Sequence, residues 1–164
     1  MDFKDIEQIK KAGFLGFKTM KELFADSSSI PKIMGVYLIL NQTKKIEFLT
    51  VGTGGHFKGK NPNVSLSGLK EHWVDDTIVV YIGKAGKAGS KATLRSRLQQ
   101  YFGFGQGKNI GHYGGRLIWQ LGNSNDLVVC WKPLPDDDPR TVEAELIRQF
   151  VEQYSKRPFA NLTN

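Results

Sequence analysis

Apolar positions along the chain fall into short, dense runs separated by glycine-rich or charged segments, and those runs predict the elements. Residues 3–12 and 18–25 read as short helices with a break at 13–16, and 26–31 as a loop. Gly35-Val-Tyr-Leu-Ile-Leu40 is almost wholly apolar, the pattern of a strand buried on both faces. After a turn, 46–51 reads as a second strand, 52–67 as irregular and 69–74 as a helical turn. Ile78-Val-Val-Tyr-Ile82 is another buried strand, closed by Gly83. Thr93 is placed to cap a helix reaching about Phe102, in which Leu94, Leu98 and Tyr101 recur at i, i+4 and i+7. Segments 116–121 and 127–132 read as a hairpin, and 140–155 as an amphipathic helix stopped by Pro158. The order predicts a mixed α/β domain without the regular alternation of a doubly wound sheet.

Composition narrows the class. A chain of 164 residues suits one domain with a real core. Its 18 Gly and six Pro are too few and too scattered for a fibrous or disordered protein. No apolar run approaches the roughly 18 to 20 residues that span a bilayer. The start, MDFKDIEQIKK, mixes charges of both signs and lacks a signal peptide's apolar stretch. The single Cys130 excludes an internal disulfide and a cysteine-based zinc cluster, and its apolar strand context reads as an inert buried thiol. These features point to a cytoplasmic protein with no membrane partner.

The net charge of +7 is concentrated. Between Thr77 and Asn125 there is no Asp or Glu, but there are seven cations: Lys84, Lys87, Lys91, Arg95, Arg97, Lys108 and Arg116. The rest of the chain balances, 16 basic against 16 acidic residues. Such clustering suits a polyanion, most commonly nucleic acid. Tyr101, Phe102, Phe104, Tyr113 and Trp119 interleave with these cations, and dense glycine allows close approach of backbone to phosphates. His112 lies in the same stretch and is a further candidate phosphate contact. The three histidines show no metal-ligand spacing, and Gly103-Phe-Gly-Gln-Gly107-Lys108 lacks both the Walker spacing and a preceding strand.

On the last helix Glu143 falls in the middle of the apolar stripe formed by Leu146, Ile147, Phe150, Val151 and Tyr154, whereas Glu145 faces the opposite side. An inward carboxylate is costly unless it meets a cation, a metal or several donors. On the middle helix Arg97 lies one turn from both Leu94 and Tyr101, on the flank of the apolar face. Tyr37 and Tyr81 interrupt the two apolar strands and each needs a hydrogen-bond partner when buried.

Taken in order, Gly35-Val-Tyr37, Tyr81-Ile-Gly83-Lys-Ala, Leu94-Arg-Ser-Arg97-Leu-Gln-Gln-Tyr101-Phe, Glu143-Ala-Glu-Leu-Ile147 and Pro158-Phe-Ala-Asn161 resemble the GIY-YIG nuclease superfamily over residues 35 to 161. The resemblance implies an α+β domain with a small, mainly antiparallel sheet of about three core strands between helices. It also implies one divalent metal, Mg²⁺ with Mn²⁺ able to substitute, and hydrolysis of a DNA phosphodiester without a covalent intermediate. Carried over, Tyr37 and Tyr81 are the motif tyrosines, one of them the general base or the group that orients the attacking water. Lys84 and Arg97 supply cations, Tyr101 contacts the phosphate, Glu143 holds the metal and Asn161 braces the site. Lys87, Lys91, Arg95, Lys108, His112 and Arg116 are the expected nucleic-acid contacts.

The division expected is an N-terminal helical extension, 1–30, and a nuclease domain, 31–164, carrying an insertion at about 44–76. That insertion separates the tyrosines by 44 positions, where compact family members have only a short hairpin connection. No recognisable DNA-binding domain flanks the motifs, and sequence specificity is left open. The substrate is duplex or branched DNA, with RNA left open, and a clean double-strand break by one active site calls for a homodimer or two visits. A non-catalytic nucleic-acid-binding module on the same scaffold is the alternative.

Overall fold

The computed structural model describes residues 1–162; positions 163 and 164, the end of the expected domain, lie outside the described residues. The chain is α+β; the described residues form a four-stranded antiparallel sheet in the order β1-β4-β2-β3 and five α-helices. The strands are β1 (Leu15–Thr19), β2 (Gly35–Leu40), β3 (Val79–Ala85) and β4 (Val128–Pro133). The helices are α1 (Ile6–Lys11), α2 (Met20–Ala25), α3 (Leu66–His72), α4 (Leu94–Gly105) and α5 (Pro139–Tyr154).

β2 is buried at every position because both faces of the sheet are covered. On one face Tyr37, Ile39, Val129 and Trp131 pack against α2, α4 and the buried run Leu117–Trp119. On the other, Val36, Leu38, Ile82 and Cys130 meet α1 and α5 through Ile9 and Phe150. Both long helices start as their sequences dictate. Thr93 and Ser96 form a reciprocal capping box on α4, and Asp138 caps α5 with Pro139 at its first turn.

Three expectations are corrected. β1 begins in the stretch read as a break, 13–16, runs into the segment read as a helix from 18, and pairs with β4; the segment expected as a helical extension therefore supplies a strand of the sheet. Segment 46–51 is not a strand and contributes only an isolated bridge between Phe48 and Leu121. The expected hairpin does not form, because Arg116–Gln120 is a tight 3₁₀ turn and β4 takes β2 and β1 as neighbours instead. Among the described residues no helix is long and apolar enough to cross a membrane.

Candidate active site

The register of β2 against β3 sets the geometry. Tyr37 pairs with Gly83 and Ile39 with Tyr81, so both tyrosines stand on the α4 side of the sheet as diagonal neighbours. Their ring centroids are 6.0 Å apart in an edge-to-face arrangement, and the ring of Tyr101 from α4 lies 5.7 Å from Tyr81 and 6.5 Å from Tyr37. Val80 is the extra residue of a bulge between Ile39 and Leu40, and its carbonyl accepts from the Ala160 N–H at 2.9 Å. Asn161 follows. Its Oδ1 accepts from the Ile82 N–H at 2.9 Å and its Nδ2 donates to the Ile82 carbonyl at 2.8 Å. One amide side chain thus substitutes for a neighbouring strand at the edge of β3.

Lys84 points to the other face, where α5 packs. Glu143 reaches it there, with a carboxylate oxygen 3.1 Å from the ammonium. The Glu143 side chain is 19% exposed and that of Lys84 is 41% exposed. Glu145, by contrast, lies in solvent and pairs with Arg148, as the helical pattern requires. Arg97 is half-buried on the tyrosine side and contacts Gln100 Oε1 at 3.3 Å.

Electrostatics tie the two faces together around the edge strand. Burial pushes the Tyr37 phenol well above its ordinary value; the neighbouring Tyr81 and the charge of Glu143 push the same way, and Arg97 opposes them. Tyr81 is pushed up to about 12, first by burial and then by Glu143, while a contact from the Tyr37 hydroxyl and the charge of Arg97 pull it down. Burial raises the Tyr37 phenol further, so Tyr81 is the more readily ionised of the two.

Two shallow grooves meet at Lys84, Gly86 and Lys87. One, of about 820 Å³, runs along α5 past Glu143, Arg140 and Arg157. The other, of about 320 Å³, passes Ser96, Arg97 and Gln100. The tyrosine rings line neither; they sit behind, with Tyr37 1% and Tyr81 8% exposed. Arg140 and Arg157 were missed by the sequence reading because they lie in the charge-balanced part of the chain. The usable signal was position: Arg140 stands three residues before Glu143 on the same helix.

Several expected contacts have other occupations. The Tyr101 hydroxyl is fully buried and donates to the Gly115 carbonyl at 2.6 Å, so it anchors the 113–116 loop rather than facing a phosphate. Arg95 donates to the carbonyls of Ile30 at 2.7 Å and Ser28 at 2.6 Å, which ties its guanidinium to the 27–31 loop. His112 is 1% exposed, stacked 4.3 Å from the Tyr101 ring, with Nδ1 3.0 Å from the Gly114 carbonyl. It is a core group, not a surface phosphate contact. Lys87 lines the grooves, Lys91 and Lys108 are exposed, and Arg116 lies 4.6 Å over the Tyr113 ring.

Among the described residues no three His, Cys, Asp or Glu side chains converge on one point. The donors fit a hard cation only in the single-carboxylate manner, with Glu143 as protein ligand and water or substrate oxygens filling the remaining positions. Asp138 lines the same groove but is engaged in capping α5, accepting from the Arg140 N–H and the Thr141 hydroxyl. No family model, curated protein or solved structure matches the chain.

Proposed function

We propose that the protein is a divalent-metal-dependent endonuclease that hydrolyses DNA phosphodiester bonds. The observation that carries this reading is one edge strand, β3, flanked by the Tyr37–Tyr81 ring pair on one face and by the Lys84–Glu143 ion pair on the other. The ordered resemblance of residues 35 to 161 to the GIY-YIG nucleases supports it independently.

Glu143 would hold a divalent ion, Mg²⁺ or Mn²⁺, which would supply Lewis-acid polarisation of the phosphate. The chain's own groups do the rest. Arg97 donates to the non-bridging phosphate oxygens, where charge accumulates as water attacks phosphorus. Tyr81, as its phenolate, takes the proton from that water, and the Tyr37 ring packed edge-on against it holds the Tyr81 ring in place. Lys84, beside Glu143 in the same groove, donates to the departing oxygen. Lys87, Arg140 and Arg157 flank the groove and hold neighbouring phosphates.

One observation favours the alternative of a non-catalytic binding module: Glu143 is already neutralised by Lys84 at 3.1 Å. Incubation of supercoiled plasmid and a branched DNA with the protein in Mg²⁺, Mn²⁺ or EDTA separates the two. Metal-dependent nicking establishes the nuclease, whereas binding in gel shift without any cleavage assigns the module.

A further inference from the structure

The acid-free stretch at 77–125 is not alone. There is also no Asp or Glu between Glu47 and Glu71, a stretch that holds Lys58, Lys60 and Lys70 and makes up most of the segment inserted between β2 and β3. The fold brings these two acid-free stretches together. Tyr113 donates through its hydroxyl to the Asn61 carbonyl at 2.7 Å, and the Gly55 N–H donates to the Phe104 carbonyl at 2.8 Å. The buried Gln120 accepts from the Val64 N–H at 2.8 Å and donates to the Val64 carbonyl at 2.9 Å and the Leu49 carbonyl at 3.0 Å. The insertion is thereby fastened at several points, so its surface is a fixed feature of the domain.

That surface gathers cations around two rings. Lys58 lies 5.3 Å from the centroid of Phe57, and Tyr113 has Lys60 at 5.8 Å and Arg116 at 4.6 Å. Lys58 and Lys60 are exposed, and no carboxylate lies within ion-pair distance of Lys58, Lys60 or Arg116 among the described residues. Lys60 and Arg116 share the Tyr113 ring, so their charges lie within about a Debye length and repel one another, and a polyanion relieves that repulsion. The patch also adjoins the candidate site. A β-carbon on Gly114 would lie 3.6 Å from the Tyr81 hydroxyl, and the charge of Arg97 acts on His112, one residue before Tyr113. The loop from 111 to 116 therefore bridges the tyrosine cluster and the insertion.

We infer that the insertion is a nucleic-acid-binding arm, in which Lys58, Lys60 and Arg116 hold the phosphate backbone of the same DNA that occupies the Glu143 groove, beyond the phosphate that is cut. The inference rests on the nuclease reading for the DNA in the Glu143 groove and its cleavage; the arm's own binding is measured separately from cleavage. Phosphate contacts of this kind supply affinity without sequence preference.

The test is fluorescence anisotropy of a short labelled duplex across a salt series, with wild type, Lys58→Gln/Lys60→Gln, and Lys4→Gln/Lys11→Gln as a control of equal charge change on exposed lysines around α1. Circular dichroism melts confirm that the variants fold. The arm variant is expected to bind roughly tenfold more weakly at low salt, with the slope of log affinity against log salt reduced by about two, and the control to match wild type. Binding and slope equal to wild type in the arm variant overturn the inference, as does an equal loss in the control or no DNA binding by wild type. If wild type binds DNA without cutting it, the nuclease reading fails while the slope comparison still decides the arm.

Discussion

The ring of Tyr37 lies across Gly83: a β-carbon built on Gly83 would stand 2.3 Å from Tyr37 Cζ and 2.6 Å from its hydroxyl oxygen. Position 83 is thus the gap through which a tyrosine on the central strand reaches the edge strand. Gly83→Ala is predicted to displace that ring, to destabilise the fold by about 1–3 kcal/mol through overpacking, and to abolish nicking while circular dichroism stays native-like. Wild-type nicking in this variant shows that the placement of Tyr37 is immaterial to function.

Asn161 offers a second handle on the same strand. Asn161→Ala removes the donor and the acceptor that serve Ile82, with an expected loss of about 1–3 kcal/mol. A chain of this size then melts several degrees lower, at roughly 2–4 °C per kcal/mol. Asn161→Asp keeps the acceptor for the Ile82 N–H and loses the donor to its carbonyl, so it is expected to fall between wild type and alanine. An unchanged melting temperature in Asn161→Ala contradicts the bracing role.

Elements whose signal is local were legible in the sequence. β2 and β3 announce themselves as apolar runs, the Thr93 cap marks the start of α4, and the stripe on α5 separates Glu143 from Glu145. β1 was not legible because it does not alternate: it is a short edge strand with a bulge between Gly16 and Lys18 and left-handed residues at Gly16 and Phe17. The run at 116–121 misled because a continuous apolar stretch looks alike as a buried strand and as a buried 3₁₀ turn. At the site, residue identity showed which side chains could carry chemistry but not which were occupied. Arg95 and Tyr101 are held by carbonyls distant in sequence, Ile30 and Gly115, and no spacing rule reveals that.

His112 carries a pH prediction. Burial, reinforced by Arg97, lowers its pKa to about 4 from an ordinary 6.5. The folded state therefore keeps the imidazole neutral where the unfolded chain binds a proton, so stability rises with pH between those values and is lost as pH falls through them. The effect is on the order of 3 kcal/mol at full extent. The melting temperature is expected to drop steadily from pH 7 to pH 4.5, and His112→Gln is expected to flatten that slope. An equal slope in the variant assigns the acid sensitivity to other groups.

The tyrosine pair predicts the pH dependence of cleavage. With Tyr81 ionising near 12, its phenolate is scarce at neutral pH and grows about tenfold per pH unit. Nicking rates at saturating DNA are expected to climb through pH 9 without a plateau, and Tyr81→Phe to be slow and much less pH-dependent. A plateau near pH 7 in wild type, or a Tyr81→Phe profile parallel to it, excludes Tyr81 as the base.

Glu143 is the position at which the account is most exposed, because it unites the inward carboxylate of α5, the Lys84 ion pair and the metal requirement. The direct measurement is the rate of supercoiled-plasmid nicking by wild type and Glu143→Gln, in Mg²⁺ and in EDTA, with duplex binding followed in parallel. The account predicts metal-dependent nicking by wild type, its loss in Glu143→Gln, and retained DNA binding by both. Nicking that survives the substitution, or that proceeds equally in EDTA, contradicts it.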